Sequence, residues 1–224
     1  MSLTRGTYRG VAGSLHDRNI GGATASYYID QDFNSGSQPS GWTTTASGGG
    51  AVNWAYTPAI EGAYSVRLSS AGTGNIRMTS PVFAGTSAGV YATAMVNFPI
   101  APNYTHYAMR IENSSHVSLA EAVFNGTAKL GASAVGGSAS YGSTTLLINT
   151  TYYIQLRYIP GTGSNATVSV WLSENGVDWA QQGATVSNGT ATTDPAYVAV
   201  QYNMGADNGY VWDYIRVSDD MISY

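Results

Sequence analysis

Hydrophobic and polar residues alternate along most of the chain from Tyr28 onward. In the segment AYSVRLSS, the side chains of Tyr64, Val66 and Leu68 share one face, and Arg67 lies among serines on the other. Alternation with a period of two is typical of a half-buried β-strand, and clusters of Gly, Asn and Ser separate the runs at short intervals. Apolar residues are nowhere sustained at helical spacing over the length of an ordinary helix. The pattern therefore predicts roughly a dozen strands and no helix of normal length.

Strands that are apolar on one face must bury that face against a second layer, and in an all-β chain the second layer is another sheet. A length of 224 residues is ordinary for one such sandwich. We therefore expect an all-β fold, a two-sheet antiparallel sandwich over residues 29–224. Residues 1–28 are Gly-rich, mildly basic and without periodicity, which predicts an N-terminal extended arm. The alternatives are a disordered tail and a first edge strand. Its candidate anchoring residues are Arg5, Arg9 and Arg18.

One hairpin is predicted within the segment YAMRIENSSHVSLAEAVF. Pairing Ile111 with Val117 and Met109 with Leu119 keeps the apolar residues on one face and leaves residues 113–115 as a three-residue loop. This register sets where the acidic side chains of the hairpin fall.

Composition and charge exclude several classes of function. With a net charge of −4 and Lys129 as its single lysine, the chain has no cationic track for phosphates, so we expect no nucleic-acid partner. The absence of cysteine excludes disulfides and thiolate metal sites. No apolar run approaches the length of a membrane span, and the N-terminal segment lacks the apolar core of a secretory signal, although a processed chain would look the same.

Several stretches, taken in order, resemble the concanavalin A-like lectin/glucanase superfamily, in its laminin-G-like and carbohydrate-binding branch. They are DFNSGSQPSGW, GAYSVRLSS, TTYYIQLRY followed by VSVWLSENGVDW, and the terminal VWDYIRVSDD. The resemblance covers about residues 30 to 220 and implies a jelly-roll sandwich of two curved sheets with adjacent first and last strands. Members include lectins, sugar-binding modules, glycosidases and virion-surface domains, so the fold alone does not assign a function.

The candidate catalytic residues do not form a recognisable set. Glycosidases of this fold class use two carboxylates about 5 to 9.5 Å apart. In the hairpin register above, Glu112 faces His116 and Glu121 lies opposite Tyr107, which separates the two glutamates too widely for one glycosidic bond. No E-x-D-x-E cluster and no G-x-S-x-G motif is present, and the histidines have no metal-ligand spacing. We therefore expect no enzymatic activity.

Calcium is the one metal that the resemblance implies. Asp32 precedes the first core strand, and Asp213 lies in the last strand in phase with Val211, Ile215 and Val217. If these strands are neighbours, the two carboxylates converge on one ion. The alternative is that Asp213 accepts hydrogen bonds from backbone amides or from an arginine, because a buried carboxylate needs a partner.

Aromatic residues on the polar phases are the candidates for a recognition surface, because flat rings bind the C–H faces of sugars and also suit protein association. The carbohydrate- or partner-facing candidates are Trp171, Tyr197, Gln201, Asn203, Trp212, Tyr214 and Arg216.

These features favour a non-enzymatic, lectin-like structural or adhesion protein on a bacteriophage particle. It would be anchored by the N-terminal arm, as a head decoration, fibre or tail-associated protein, and would bind cell-surface carbohydrate. The expected partners are other virion proteins, a second copy of the chain, or glycans, and the expected location is the virion surface. The alternative is a carbohydrate-binding module or lectin of a secreted bacterial polysaccharide-degrading system, with an extracellular location.

Overall fold

The computed structural model describes residues 26–71, 74–86, 88–102, 104–135, 137–162, 165–188, 194–203, 209–222 and 224. Regular secondary structure in these residues is exclusively β, which confirms the predicted all-β class. In this part of the chain, no helix could cross a membrane. The strands are β1 (Tyr27–Gln31), β2 (Thr43–Ser47), β3 (Gly50–Tyr56), β4 (Ser65–Ser70), β5 (Asn75–Thr79), β6 (Val90–Asn97), β7 (His106–Glu112), β8 (Ser118–Phe124), β9 (Lys129–Ser133), β10 (Ser140–Thr145), β11 (Thr151–Ile159), β12 (Ala166–Ser173), β13 (Ala180–Gln181), β14 (Val186–Asn188), β15 (Tyr197–Tyr202) and β16 (Gly209–Ser218).

The strands form two antiparallel sheets, as predicted for a jelly-roll sandwich. Sheet A has nine strands, in the order β13-β12-β11-β6-β16-β4-β3, with β1 also paired to β16 and β14 to β12. Sheet B has seven, in the order β10-β9-β8-β7-β15-β5-β2. The β1–β16 pair places Ile29 opposite Val217, so the first and last strands are adjacent, as the resemblance implied. Tyr27 and Tyr28, which the sequence pattern left in the arm, belong to β1.

The core lies between the two sheets and closes at one end through aromatic rings. Phe98 contacts Phe124 and Tyr210 edge to face, with ring centroids 5.0 and 4.9 Å apart. All three side chains are fully buried. Burying one large apolar side chain stabilises a fold by about 1.5–3 kcal/mol, so this cluster ties β8 of sheet B to β16 of sheet A.

A β-bulge in β16 reverses the direction of its side chains. The register with β6 shifts between Asp213 and Arg216, and Tyr214 has a positive φ of 44°. An extra residue in one strand moves all later residues to the opposite phase. As a result, Trp212 before the bulge and Ile215 after it both belong to the core.

Candidate functional site

The outer face of sheet B, turned away from the core, is polar. The core side of its central strands is formed by Ile76, Met78, Val198 and Val200, all fully or almost fully buried members of the core cluster. Because side chains alternate along a strand, the residues between them point outward. The outward residues of β5 and β15 are Arg77, Thr79, Tyr197, Ala199 and Gln201. Arg110 and Glu112 of β7 and Glu121 of β8 lie on the same face.

The observed register of the β7–β8 hairpin differs from the predicted one. Ile111 lies opposite Ala120 rather than Val117, and Met109 lies opposite Ala122 rather than Leu119. The pairing shifts twice along β7, between Tyr107 and Met109 and again between Ile111 and Glu112. Bulges of this kind insert a residue without a local sequence signal, so alternation alone could not place them.

The corrected register brings the two glutamates of the hairpin onto one face. Glu121 lies opposite Arg110, not Tyr107, and Arg110 is two residues from Glu112 on the same strand. Diagonal neighbours across two strands have Cα atoms about 7–8 Å apart. The prediction that Glu112 and Glu121 lie far from each other is therefore wrong.

Both glutamates are paired with arginines. Arg77 donates from Nη2 to Glu112 Oε2, and Arg110 Nε lies 3.2 Å from Glu121 Oε1. The glutamate side chains are only 1% and 6% exposed. Burial raises the pKa of the Glu121 carboxyl, and the positive charge of Arg110 offsets part of that rise. The Arg110 guanidinium also lies 4.1 Å from the centre of the Tyr107 ring, a cation–π contact.

A cavity of about 200 Å³ opens on this face beside the ion pairs. It is lined by Thr45, Ala46, Ser47, Asn75, Arg77, Arg110 and Gln201. Its lining offers guanidinium, amide and hydroxyl groups and includes no carboxylate. The buried Nε of Arg77 has no hydrogen-bond partner within the described ranges. Gln201 lies directly opposite Arg77 in the β15–β5 pair.

An aromatic pair flanks the same face. The Tyr197 and His116 rings stack with centroids 4.3 Å apart, and His116 Nδ1 lies 3.4 Å from Glu112 Oε2. The predicted contact between Glu112 and His116 is therefore present, although His116 belongs to the turn and has a φ of 59°. Tyr197 and Gln201 share the outward phase of β15, as the sequence predicted, and Asn203 is exposed just after the strand.

Trp171 lies on the other sheet, on the outer face of sheet A. It points away from its buried neighbours Val170 and Leu172, as predicted, and it is half-buried. Its ring is 6.1 Å from that of Tyr91, and the Arg157 guanidinium lies 5.0 Å from the centre of the Tyr91 ring. Trp171 is thus part of an aromatic cluster on sheet A, whereas the cavity lies on sheet B.

Trp212 is not on a surface. It is fully buried, and its ring lies 6.5 Å from that of Tyr210 in the core. The sequence pattern placed Trp212 on the outward face because it alternates with the apolar residues Ile215 and Val217. That prediction is wrong, because the bulge at Asp213 and Tyr214 turns the side chains before it to the opposite face.

Tyr214 and Arg216 are occupied by contacts within the chain rather than free for a ligand. Arg216 Nε donates to Asp30 Oδ1 at 2.8 Å, and its guanidinium is 4.6 Å from the Tyr224 ring. Tyr224 in turn donates its hydroxyl to the Tyr214 carbonyl at 2.6 Å. Tyr224 therefore covers this part of sheet A, which the sequence pattern had predicted to be a recognition surface.

Asp213 is fully buried next to β1. Its carboxylate accepts hydrogen bonds from the Ser65 hydroxyl at 2.7 Å and the Tyr214 amide at 2.9 Å. Burial raises the pKa of Asp213 to about 7, and the charge of Asp32 adds to that rise. Asp32 accepts hydrogen bonds from the backbone amide and the side-chain amide of Asn34, each at 3.2 Å.

The two carboxylates are therefore close enough to repel each other, and both have hydrogen-bond donors. Across the described residues, no group of three or more His, Asp or Glu side chains could hold a metal ion. Two carboxylates with the Ser65 hydroxyl supply hard oxygen ligands of the kind that calcium takes. The predicted anchoring residues Arg5, Arg9 and Arg18 lie outside the described residues.

Comparison with known proteins shows similarity in structure only. No protein-family model matches the chain, and no curated protein is similar to it in sequence. "Cellulose induced protein, Cip1" superposes with a TM-score of 0.63 at 19% identity, covering 88% of this chain and 99% of that one. The alginate lyase Aly36B gives 0.58 at 10% identity, covering 88% and 98%.

The exoplasmic/lumenal domain of VIP36, in its Ca²⁺/Man3GlcNAc-bound form, is also similar. Its TM-score is 0.53 at 9% identity, and the match covers 82% of this chain and 85% of that domain. At these identities the likeness establishes the fold alone. The chain therefore has the jelly-roll sandwich fold that is shared by lectin-like and polysaccharide-degrading proteins.

Proposed function

We propose that this protein is a non-enzymatic, lectin-like domain and that a glycan binds on the outer face of sheet B. The observation that carries this proposal is the cavity of about 200 Å³, where guanidinium, amide and hydroxyl groups converge. A few placed polar groups around a concave site are what a polyhydroxylated ligand requires. The Arg77 side chain, which is 24% exposed, brings its guanidinium group to this lining next to the Gln201 amide.

The aromatic pair on the same outer face of sheet B supports the same ligand class. A tyrosine ring offers a flat apolar surface for the C–H face of a pyranose. Tyr197 is held by its stacking on His116, so little conformational entropy would be lost when a sugar packs against it. The glycan in the VIP36 structure shows that a domain of this fold class can carry a sugar ligand.

The position of the glutamates supports binding rather than cleavage. A glycosidase needs one carboxyl as a general acid and a second as a nucleophile or base, both in contact with the scissile bond. Glu112 and Glu121 are each paired with an arginine, and neither lines the cavity. In this arrangement the arginines stand between the carboxylates and a bound glycan.

A glycan array followed by calorimetry with the best ligand tests the proposal. Gln201→Ala, which removes one cavity amide, should weaken binding by roughly tenfold. Trp171→Ala, on the opposite sheet, should leave affinity unchanged. Loss of binding in Trp171→Ala alone would indicate that the site lies on sheet A. An array on which no glycan binds would refute glycan binding. Release of new chain ends from the bound glycan would refute the non-enzymatic role.

The proposal includes a structural calcium ion between Asp32 and Asp213. The burial of Asp213 and the repulsion from Asp32 support it, because a cation would compensate both charges. Asp32, Asp213 and the Ser65 hydroxyl would hold the ion. Its effect would be to join β1, β4 and β16 rather than to take part in recognition.

The setting on a bacteriophage particle remains part of the proposal, supported by sequence composition alone. Anchoring by the N-terminal arm would require Arg5, Arg9 and Arg18, and the partners would be virion proteins or a second copy. Because β1 begins at Tyr27, a deletion of residues 1–25 should leave the sandwich folded and abolish incorporation into particles. Unchanged incorporation would remove the anchor and leave the extracellular lectin as the setting.

A further inference from the structure

We infer that the glycan bound on sheet B is anionic, a polysaccharide carrying carboxylate or sulfate groups, and that Arg77 and Arg110 bind those groups. This inference rests on the proposed function and specifies the ligand class of its site. It follows from the sign of the charges that line the cavity and from how the two arginines are held.

The cavity lining is cationic. Arg77 and Arg110 supply its only ionised side chains, and the remaining polar groups are the amides of Asn75 and Gln201 and the hydroxyls of Thr45 and Ser47. Amides and hydroxyls can donate hydrogen bonds to an oxyanion, and guanidinium groups bind carboxylate and sulfate oxygens in a fork. Glu112 and Glu121 balance these two positive charges but do not line the cavity, so the side that faces a ligand presents N–H donors and no carboxylate.

The glutamates hold the arginines from the side away from the cavity. Glu112 accepts from Arg77 and Glu121 is paired with Arg110, while Tyr107 lies under the Arg110 guanidinium at 4.1 Å. The arginine side chains are only 24% and 21% exposed, so both are largely fixed before a ligand arrives. Preorganisation of this kind reduces the entropy lost on binding, and a guanidinium that is paired on one side keeps other N–H groups for the ligand.

The overall charge of the chain makes the site selective. The net charge is −4, so an anionic polymer is repelled by most of the molecule. Binding of such a polymer therefore depends on direct contacts between its anionic groups and the guanidinium groups of Arg77 and Arg110. Salt should weaken that binding, since the Debye length falls from about 10 Å at 0.1 M to about 3 Å at 1 M.

Charge-matched polymers test the ligand class by calorimetry. Polygalacturonate is compared with its fully methyl-esterified form, and dextran sulfate with dextran, so each pair differs only in anionic groups. The variants are the doubles Arg77→Met/Glu112→Gln and Arg110→Met/Glu121→Gln, which remove a whole ion pair and leave no uncompensated buried charge. Arg157→Met, on the outer face of sheet A, is the control for loss of one positive charge. Thermal melting verifies that each variant is folded.

At least one charged polymer should bind roughly tenfold or more tightly than its neutral counterpart, and both double variants should lose that preference while Arg157→Met keeps it. The polymer pair that responds identifies carboxylate or sulfate as the ligand group. Equal affinity for charged and neutral forms, or unaltered binding of the charged form by the double variants, would overturn the inference. If a neutral array ligand is bound and lost in Gln201→Ala, the proposed function stands while the inference fails. If Gln201→Ala alters the affinity for none of the ligands, the proposed site itself is wrong.

Discussion

Arg77 and Glu112 form an ion pair across a strand that contributes neither residue. Arg77 is on β5 and Glu112 on β7, and β15 runs between them. At the crossing level β15 presents Ala199, which is paired with Thr79 on one side and Arg110 on the other. Its methyl group leaves room for the arginine side chain to pass. The buried charge of Glu112 is thereby compensated from two strands away.

Removal of Arg77 should therefore destabilise the fold through Glu112. In Arg77→Met the Glu112 carboxylate stays buried without its main partner, at a cost of about 2 kcal/mol, reduced because 24% of the Arg77 side chain is exposed. The double variant Arg77→Met/Glu112→Gln should recover most of that loss. Urea denaturation measures both, and equal destabilisation of the single and double variants would contradict the pairing.

The two tryptophans that the sequence treated alike should respond differently to truncation. Trp212→Ala empties a fully buried site and should lower the free energy of unfolding by about 3–5 kcal/mol. Trp171→Ala removes a half-buried ring from the outer face of sheet A and should cost about 1 kcal/mol. Urea denaturation of both variants gives the comparison, and similar costs would refute the bulge-driven burial of Trp212.

The fold could be predicted where alternation is regular. In β12 the phase of Val168, Val170 and Leu172 correctly indicated the core side and set Trp171 outward. In β16 the same reasoning failed, because a bulge at Tyr214 reverses the phase and no glycine marks the positive φ there. The alternation of apolar and polar residues shows which side chains of a regular strand face the core. It does not show where a bulge inserts an extra residue and exchanges the two faces.

The candidate site was predicted only in part for a related reason. Tyr197 and Gln201 were identified from one strand, whereas Arg77 and Arg110 were not. Their importance depends on the order β7-β15-β5, which joins segments far apart in the chain. The alternation of Ile76 and Met78 around Arg77 was a usable signal for an outward arginine, but its partner could be named only once the strand order was known.

Calcium should raise the melting temperature if Asp32 and Asp213 share an ion. An ion that binds only the folded state stabilises it by mass action, and a chelator should reverse the effect. Differential scanning fluorimetry with calcium and then with chelator measures the shift. Asp213→Asn should abolish it, and Asp178→Asn, in the exposed turn after β12, serves as the control. Without a shift, the hydrogen bonds from the Ser65 hydroxyl and from the backbone amides of Tyr214 and Glu61 are sufficient to explain the buried carboxylate of Asp213.

Acid should destabilise the fold through His106. This histidine is buried, its Nδ1 lies 2.9 Å from the Tyr104 carbonyl, and its Nε2 lies 2.7 Å from the Tyr210 hydroxyl. The neutral ring satisfies both contacts, donating from Nδ1 and accepting at Nε2. Burial lowers the pKa of His106 to about 4, from 6.5 for a free histidine.

Because the unfolded chain takes up this proton at higher pH than the folded chain, the contribution of His106 to stability is complete above about pH 6.5. It falls as the pH is lowered toward 4, by up to about 1.4 kcal/mol per pH unit. His106→Gln keeps hydrogen-bonding groups but does not titrate, so its unfolding free energy should fall less than that of the wild type over this range. His116→Gln, which replaces an exposed histidine and retains His106, should keep the full acid-induced loss. Parallel pH profiles for the wild type and His106→Gln in urea denaturation would show that His106 is not the group whose protonation weakens the fold.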